Sequence, residues 1–214
     1  MESGRWESAE RIRSALEGGR TDPVLFREAL TRVPPAERDD WVNSLFGLDE
    51  LPDDGPELPR GCVPYLPASV DALLRIVEHV PVRESDVFVD IGSGLGRAAA
   101  LVHLLSGAPV IGLEVQPELV RSARKLADRL LLSRVSYVEG DAAELAGSFA
   151  TGTVFFLYCP FSGERLAKFM SELEGIARNR AIRVCCLDLP LPPCPWLRLD
   201  ATLTQGLEIY GSRR

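Results

Sequence analysis

The chain has 214 residues, 46% of them hydrophobic and 26% charged, with a formal net charge of -7. That make-up suits one globular core with room for a small appendage. No run of about 18 apolar residues is present to span a bilayer, and the N-terminus is acidic and polar rather than basic then apolar, so a cytoplasmic protein is expected. The charge is uneven: residues 1–60 carry 8 Arg against 14 acids, leaving 16 basic and 17 acidic residues for the remainder. A nearly neutral remainder lacks the basic face that displaces counterions from nucleic acid, so nucleic-acid binding is not expected. Cys62, Cys159, Cys185, Cys186 and Cys194 are odd in number and form no Cys-x-x-Cys pair, which argues against a disulfide framework or a zinc site. No metal is expected.

The first sixty residues read as short helices parted by breakers. Trp6 to Glu17 is helical up to Gly18-Gly19; Asp22-Pro23 supplies an N-cap and a first-turn proline for a second helix that Pro34-Pro35 ends; Ala36 to Phe46 forms a third. Leu51 to Pro64, rich in proline, glycine and acids, reads as a linker. Trp6, Phe26, Trp41 and Phe46 give these helices bulky faces that water disfavours, so the segment is expected to pack on the rest of the chain. The division is therefore 1–60, a helical extension with linker, and 61–214, the main domain.

From Ala68 to Val80 the apolar positions recur at helical spacing. Strand-helix alternation then begins: strand 87–91 and helix 96–106, strand 110–115 and a helix opened by Pro117, strand 135–138, strand 153–157 and helix 163–178, and strand 182–189. Residues 196–203 and 207–210, parted by Thr204-Gln-Gly206, read as a hairpin. These units predict a Rossmann-like, seven-stranded, mostly parallel doubly wound sheet with a C-terminal antiparallel hairpin and an N-terminal helical extension.

Asp90-Ile-Gly92-Ser93-Gly94-Leu-Gly96 follows the first of these strands and opens a helix, the arrangement that cradles nucleotide-like ligands. A dinucleotide loop keeps its third glycine three residues after the second, where this chain has Arg97. A carboxylate at the strand end would also repel a pyrophosphate, whereas S-adenosylmethionine carries a sulfonium and an ammonium. Glu114, 24 residues after Asp90 at the end of the second strand, can accept from both hydroxyls of a ribose, and adjacent strands bring loop and acid together. That acid serves NAD as well as S-adenosylmethionine. The third strand ends in Gly140-Asp141-Ala142, and the fourth in Tyr158-Cys159-Pro160-Phe161.

Asp-x-Gly-x-Gly-x-Gly followed by these acids resembles the class I S-adenosylmethionine-dependent methyltransferases. The resemblance implies cofactor contacts from Gly92, Ser93, Gly94 and Gly96, ribose binding by Glu114, adenine contacts from Asp141 and the Ala142 backbone, and a methyl-transfer site walled by Tyr158 and Phe161. Enzymes acting on amide or nucleobase nitrogens commonly have Asn or Asp, then Pro-Pro, then Tyr or Phe at this last place, and Tyr158-Cys159 departs from that pattern. Val63-Pro-Tyr65-Leu-Pro67-Ala-Ser69, a helix, and then the glycine loop are similar to the protein-lysine methyltransferases of the telomeric-silencing-disruptor and ATP-synthase-subunit types. In those, the segment before the loop folds over the methionine end of the cofactor, which implicates Tyr65 and Pro67. The expected partner is then a methyl acceptor such as a protein lysine; competing readings are an NAD-dependent oxidoreductase and a catalytically silent methyltransferase-like binding domain.

Overall fold

In the computed structural model, which describes residues 11–16, 18–19, 22–48, 58 and 62–213, helices cover both faces of a seven-stranded sheet. Residues 11–16 are helical (α1), and α2 (Pro23–Thr31), a 3-10 turn (Pro35–Glu37), α3 (Arg38–Phe46) and α4 (Val70–His79) precede the first strand. The alternating part comprises β1 (Phe88–Ile91), α5 (Arg97–Ser106), β2 (Val110–Glu114), α6 (Pro117–Arg129), β3 (Val135–Glu139), α7 (Ala142–Leu145), β4 (Val154–Tyr158), α8 (Gly163–Ala177) and β5 (Arg183–Leu187). Two strands, β6 (Leu197–Thr204) and β7 (Leu207–Ser212), close the chain. Residues 6–10 and Glu17 of the first expected helix, and all of the expected linker except Leu58 and residues 62–64, lie outside the described residues.

The strands lie in the order β3-β2-β1-β4-β5-β7-β6. The first five are parallel, β7 is antiparallel to β5, and β6 is antiparallel to β7, as the strand pattern predicts. The apolar runs of the central strands arise because alternate residues serve two cores. Phe88, Val154, Phe156 and Cys185 pack under α2 to α6, whereas Val89, Ile91, Phe155, Leu157 and Val184 meet α7 and α8. Asp90 follows Phe88 by two residues and so shares its face.

The start signal at Asp22 acts as the sequence suggests, and the structure adds a second cap at Ser69. The Asp22 carboxylate accepts from the Val24 and Leu25 amides, and Ser69 caps α4 by accepting from Ala72 N at 3.2 Å. The third expected helix differs: Pro35–Glu37 winds as a 3-10 turn and the α-helix starts only at Arg38. The N-terminal helices join the main core. Phe26, Leu30, Trp41, Val42, Leu45 and Phe46 are buried in the same apolar cluster as Leu101, Leu104 and Leu105 of α5. Arg27 Nη2 donates to Leu105 O at 2.6 Å, and Phe26 meets Trp41 with ring centroids 6.0 Å apart. At the sheet edge, β6 is charged and irregular in register, with Asp200 paired to both Arg183 and Arg198, features that discourage another chain from adding to it.

Candidate active site

Strand order reverses between β1 and β4, so the loops leaving their carboxyl ends diverge and open a crevice. A pocket of about 900 Å3, its open mouth included, lies there, lined from β1, β2, β4, the turn before α7 and the extended strap 62–69.

The glycine loop is tied to β2. Gly92 N and Ser93 N both donate to Leu113 O, at 2.8 and 3.0 Å. Gly94 N donates to Glu114 Oε2 at 2.9 Å, and Gln116 N donates to Oε1 at 2.8 Å. Glu114 therefore builds the loop as well as facing the pocket, and each of its oxygens has a second lone pair to offer. Gly94 has φ +52°, and a Cβ there would overlap the ring of Tyr65. Gly96 has φ +77° and caps α5. Gly112 in β2, the partner of Asp90 in the ladder, has no room for a side chain either, because a Cβ would sit 2.7 Å from Ser93 Oγ and 2.5 Å from the Tyr137 ring.

Asp90 is 2% exposed, and its Oδ2 finds no hydrogen-bond partner among the described residues; Ser93 Oγ is buried and unpartnered in the same way. Burial pushes the Asp90 carboxyl up to about 7, and the charge of Glu114 adds to the shift. An unsatisfied buried acceptor costs about 1–3 kcal/mol. The pocket wall thus holds an acid and a hydroxyl that a cationic ligand with N–H donors would satisfy. This fits S-adenosylmethionine and opposes a pyrophosphate.

Tyr65, Pro67 and Ala68 of the strap line the same pocket. The strap is held to the end of β4 by an antiparallel bridge between Cys62 and Phe161 and by Val63 N donating to Pro160 O at 3.3 Å. Burial raises the Tyr65 hydroxyl to about 12.

Residues 88–180 match the family described as methyltransferase domain. Among solved structures, the chain is 25% identical to an RNA methyltransferase from Salinibacter ruber in complex with S-adenosyl-L-homocysteine, covering 69% of this chain and 92% of that one with a TM-score of 0.52. Residues 88–180, which carry the glycine loop and β1 to β4, thus form a methyltransferase domain. A putative methyltransferase from Escherichia coli, yhhF, shares the fold at 17% identity and a TM-score of 0.54 over 73% of this chain and 90% of that one. No curated protein matches the chain. By family inference the matched domain implies S-adenosylmethionine, and the Salinibacter neighbour holds S-adenosyl-L-homocysteine.

The structure brings all the sequence-predicted site positions to one place. Asp90, Gly92, Ser93, Glu114, Asp141, Ala142, Tyr158, Phe161, Tyr65 and Pro67 all line the pocket, and Gly94 and Gly96 shape its loop. Several of these residues also have structural work. Asp141 caps α7, its Oδ1 accepting from Ala143 N at 2.9 Å, while Oδ2 pairs with Arg165 of α8. Phe161 is 4% exposed and stacks edge-on against Phe169 with centroids 5.6 Å apart. Tyr158 is half-buried at the end of β4, its hydroxyl pushed up by burial and then by Asp188. Cys159 after β4 and Asp188 after β5 both have left-handed backbones, with φ 41° and 49°. Such strain in non-glycine residues concentrates at functional sites. The Cys159 thiol donates to Asp188 O and so ties the two strand ends together.

In the sequence, Arg97 stands out only as the residue displacing a glycine. In the fold it is 3% exposed and is the one cationic side chain among the described residues lining the pocket. Its Nε donates to Asn43 Oδ1 at 2.7 Å, Nη1 to Ala68 O at 2.6 Å, and Nη2 to Asp39 Oδ1 at 2.7 Å. Arginine in the first turn of a helix opposes the dipole, and that mismatch was the available signal that Arg97 has an acidic partner elsewhere.

Proposed function

We propose that the protein methylates an amine, a protein lysine, by direct displacement at the methyl group of S-adenosylmethionine. The observation that carries this reading is the buried, unpartnered Oδ2 of Asp90 beside Ser93 and Glu114 in a pocket at the switch point of the sheet. When bound, the cofactor supplies an electrophilic methyl on a sulfonium. Asp90 and Ser93 hold its cationic amino-acid end, Glu114 accepts from the ribose hydroxyls, and Asp141 with the Ala142 backbone meets the adenine. Tyr65 and Pro67 roof the methionine end and exclude water.

The acceptor approaches between Tyr158 and Phe161. A lysine must be neutral to attack, and from a reference pKa near 10.4 its deprotonation at pH 7 costs about 4.6 kcal/mol. Pro160, Phe161 and Phe156 make this wall largely apolar, which disfavours the ammonium and lowers that cost. Tyr158 orients the acceptor through its hydroxyl. No covalent enzyme nucleophile is needed, because positioning supplies most of the rate effect. The absence of an Asn or Asp before the proline of Tyr158-Cys159-Pro160-Phe161 supports an amine over an amide or nucleobase nitrogen.

Equilibrium titration with S-adenosylmethionine should show binding that Asp90→Ala and Glu114→Ala each weaken, with no comparable binding of NADH. Incubation with labelled S-adenosylmethionine and cell extract should then place the label on protein, at lysine. A well-folded protein with no affinity for the cofactor would overturn the reading, and label confined to RNA or to small molecules would overturn its acceptor half.

A further inference from the structure

The strap over the pocket is fixed at both ends, and the two fixings differ in kind. At its start, Cys62 and Val63 pair with the loop after β4. At its end, the Ala68 carbonyl is gripped by Arg97, whose other donors reach Asn43 and Asp39 of α3. Asp39 Oδ1 accepts in addition from Val70 N at 3.1 Å, the first amide of α4. The guanidinium thus joins three parts of the chain at one point: the helix that opens at the glycine loop, the roof that carries Tyr65 and Pro67, and the N-terminal helices.

We propose that Arg97 is a positioning residue through which α3 holds the roof closed, so that the N-terminal helices set the affinity of the cofactor pocket. The inference rests on the reading of this pocket as the S-adenosylmethionine site. An arginine bound by acceptors on three residues in fixed directions orders the backbone it holds, and lysine cannot replace that fork. Loosening the grip lowers the fraction of molecules with the roof in place, and apparent affinity falls by that fraction. Arg38 provides the comparison. Its Nη1 pairs with Asp71 at 2.6 Å, linking the same two helices, α3 and α4, while touching neither strap nor loop.

The test uses the full chain with Arg97→Lys, Asn43→Ala and Arg38→Ala. Affinity for S-adenosylmethionine and S-adenosylhomocysteine is measured by calorimetry, and hydrogen exchange of residues 62–69 is measured without ligand. Arg97→Lys should weaken both ligands about tenfold, the consequence of a tenfold loss of closed roof, and should speed exchange in the strap. Asn43→Ala should move both readouts less and in the same direction. Arg38→Ala should lower the melting temperature yet leave affinity and strap exchange within about twofold of the parent, the roof being untouched. Unchanged strap exchange in Arg97→Lys overturns the proposal, as does an equal loss of affinity in Arg38→Ala. If the parent binds neither ligand, the reading of the pocket fails and the affinity claim falls with it, while strap exchange still reports whether Arg97 holds the roof.

Discussion

The ring of Tyr65 lies in the space that a side chain at Gly94 would need. The glycine serves two purposes at once, a left-handed turn and a seat for the aromatic ring. Gly94→Ala should therefore destabilise the fold by about 1–2 kcal/mol from its backbone alone and lift the strap. The expected outcome is a folded protein that binds S-adenosylmethionine at least about tenfold more weakly, a loss of 1.4 kcal/mol or more, as calorimetry and thermal unfolding would show together.

Asp90 gives the site a pH dependence whose sign is fixed. Its folded carboxyl titrates near 7, well above its unfolded range, so the folded protein holds a proton that the unfolded chain has lost. Stability is then greatest in acid and declines as pH rises to about 7. Asp90→Asn, always neutral, should gain stability relative to the parent across that interval and keep the gain above it, as melting temperatures from pH 5 to 8 would show. Cofactor binding runs the other way. A cation needs the carboxylate, so affinity should climb with pH by at most about tenfold per unit and level off above 7; Asp90→Asn should remove the slope along with most of the binding.

The cysteines separate by position. Cys185 and Cys186 are buried, and burial pushes Cys185 to about 12 and Cys186 well above its ordinary value. Neither should react with an alkylating reagent in the native protein. Cys62, Cys159 and Cys194 are part-exposed, but only Cys62 and Cys159 line the pocket. Saturating S-adenosylhomocysteine should slow alkylation of those two and leave Cys194 unchanged, which mass spectrometry can read residue by residue.

Gly112 and Tyr137 form a second packing lock beneath the loop. A methyl group at 112 meets both Ser93 and the Tyr137 ring, so Gly112→Ala should cost about 1–3 kcal/mol through overpacking and weaken the cofactor by shifting Ser93. Tyr137→Phe removes only the hydroxyl that donates to Gly96 O at 3.1 Å. It should cost about 1 kcal/mol with little effect on binding, as paired denaturation and titration curves would show.

The strands were legible because each central one is buried on both faces, leaving an uninterrupted apolar run between polar breakers. Val154–Tyr158 and Arg183–Leu187 differ from the expected ranges only at their ends. The loop and its acids were legible for a related reason: glycines at 92, 94 and 96 and carboxylates at strand ends carry their chemistry in local order. What could not be read locally is how such residues are shared. Nothing in the spacing shows that Glu114 would bind the Gly94 amide, that Asp141 would pair with Arg165, or that Arg97 would join residues 29 and 58 positions away. The left-handed residues Cys159 and Asp188, 29 positions apart and tied by the Cys159 thiol, were out of reach of local reading for the same reason.

The docking of α2 on α5 has a bearing on biosynthesis. Arg27 and its acceptor Leu105 are 78 positions apart, so during synthesis Phe26, Trp41 and Phe46 emerge long before the surface that will cover them. The nascent chain carries an unprotected aromatic face until α5 has left the ribosome, the interval in which association with other chains competes with folding. Trimming the N-terminal helices from an expressed fragment would reverse the exposure, leaving the apolar side of α4 and α5 uncovered. Solubility of such fragments should therefore fall as the deletion passes Phe26.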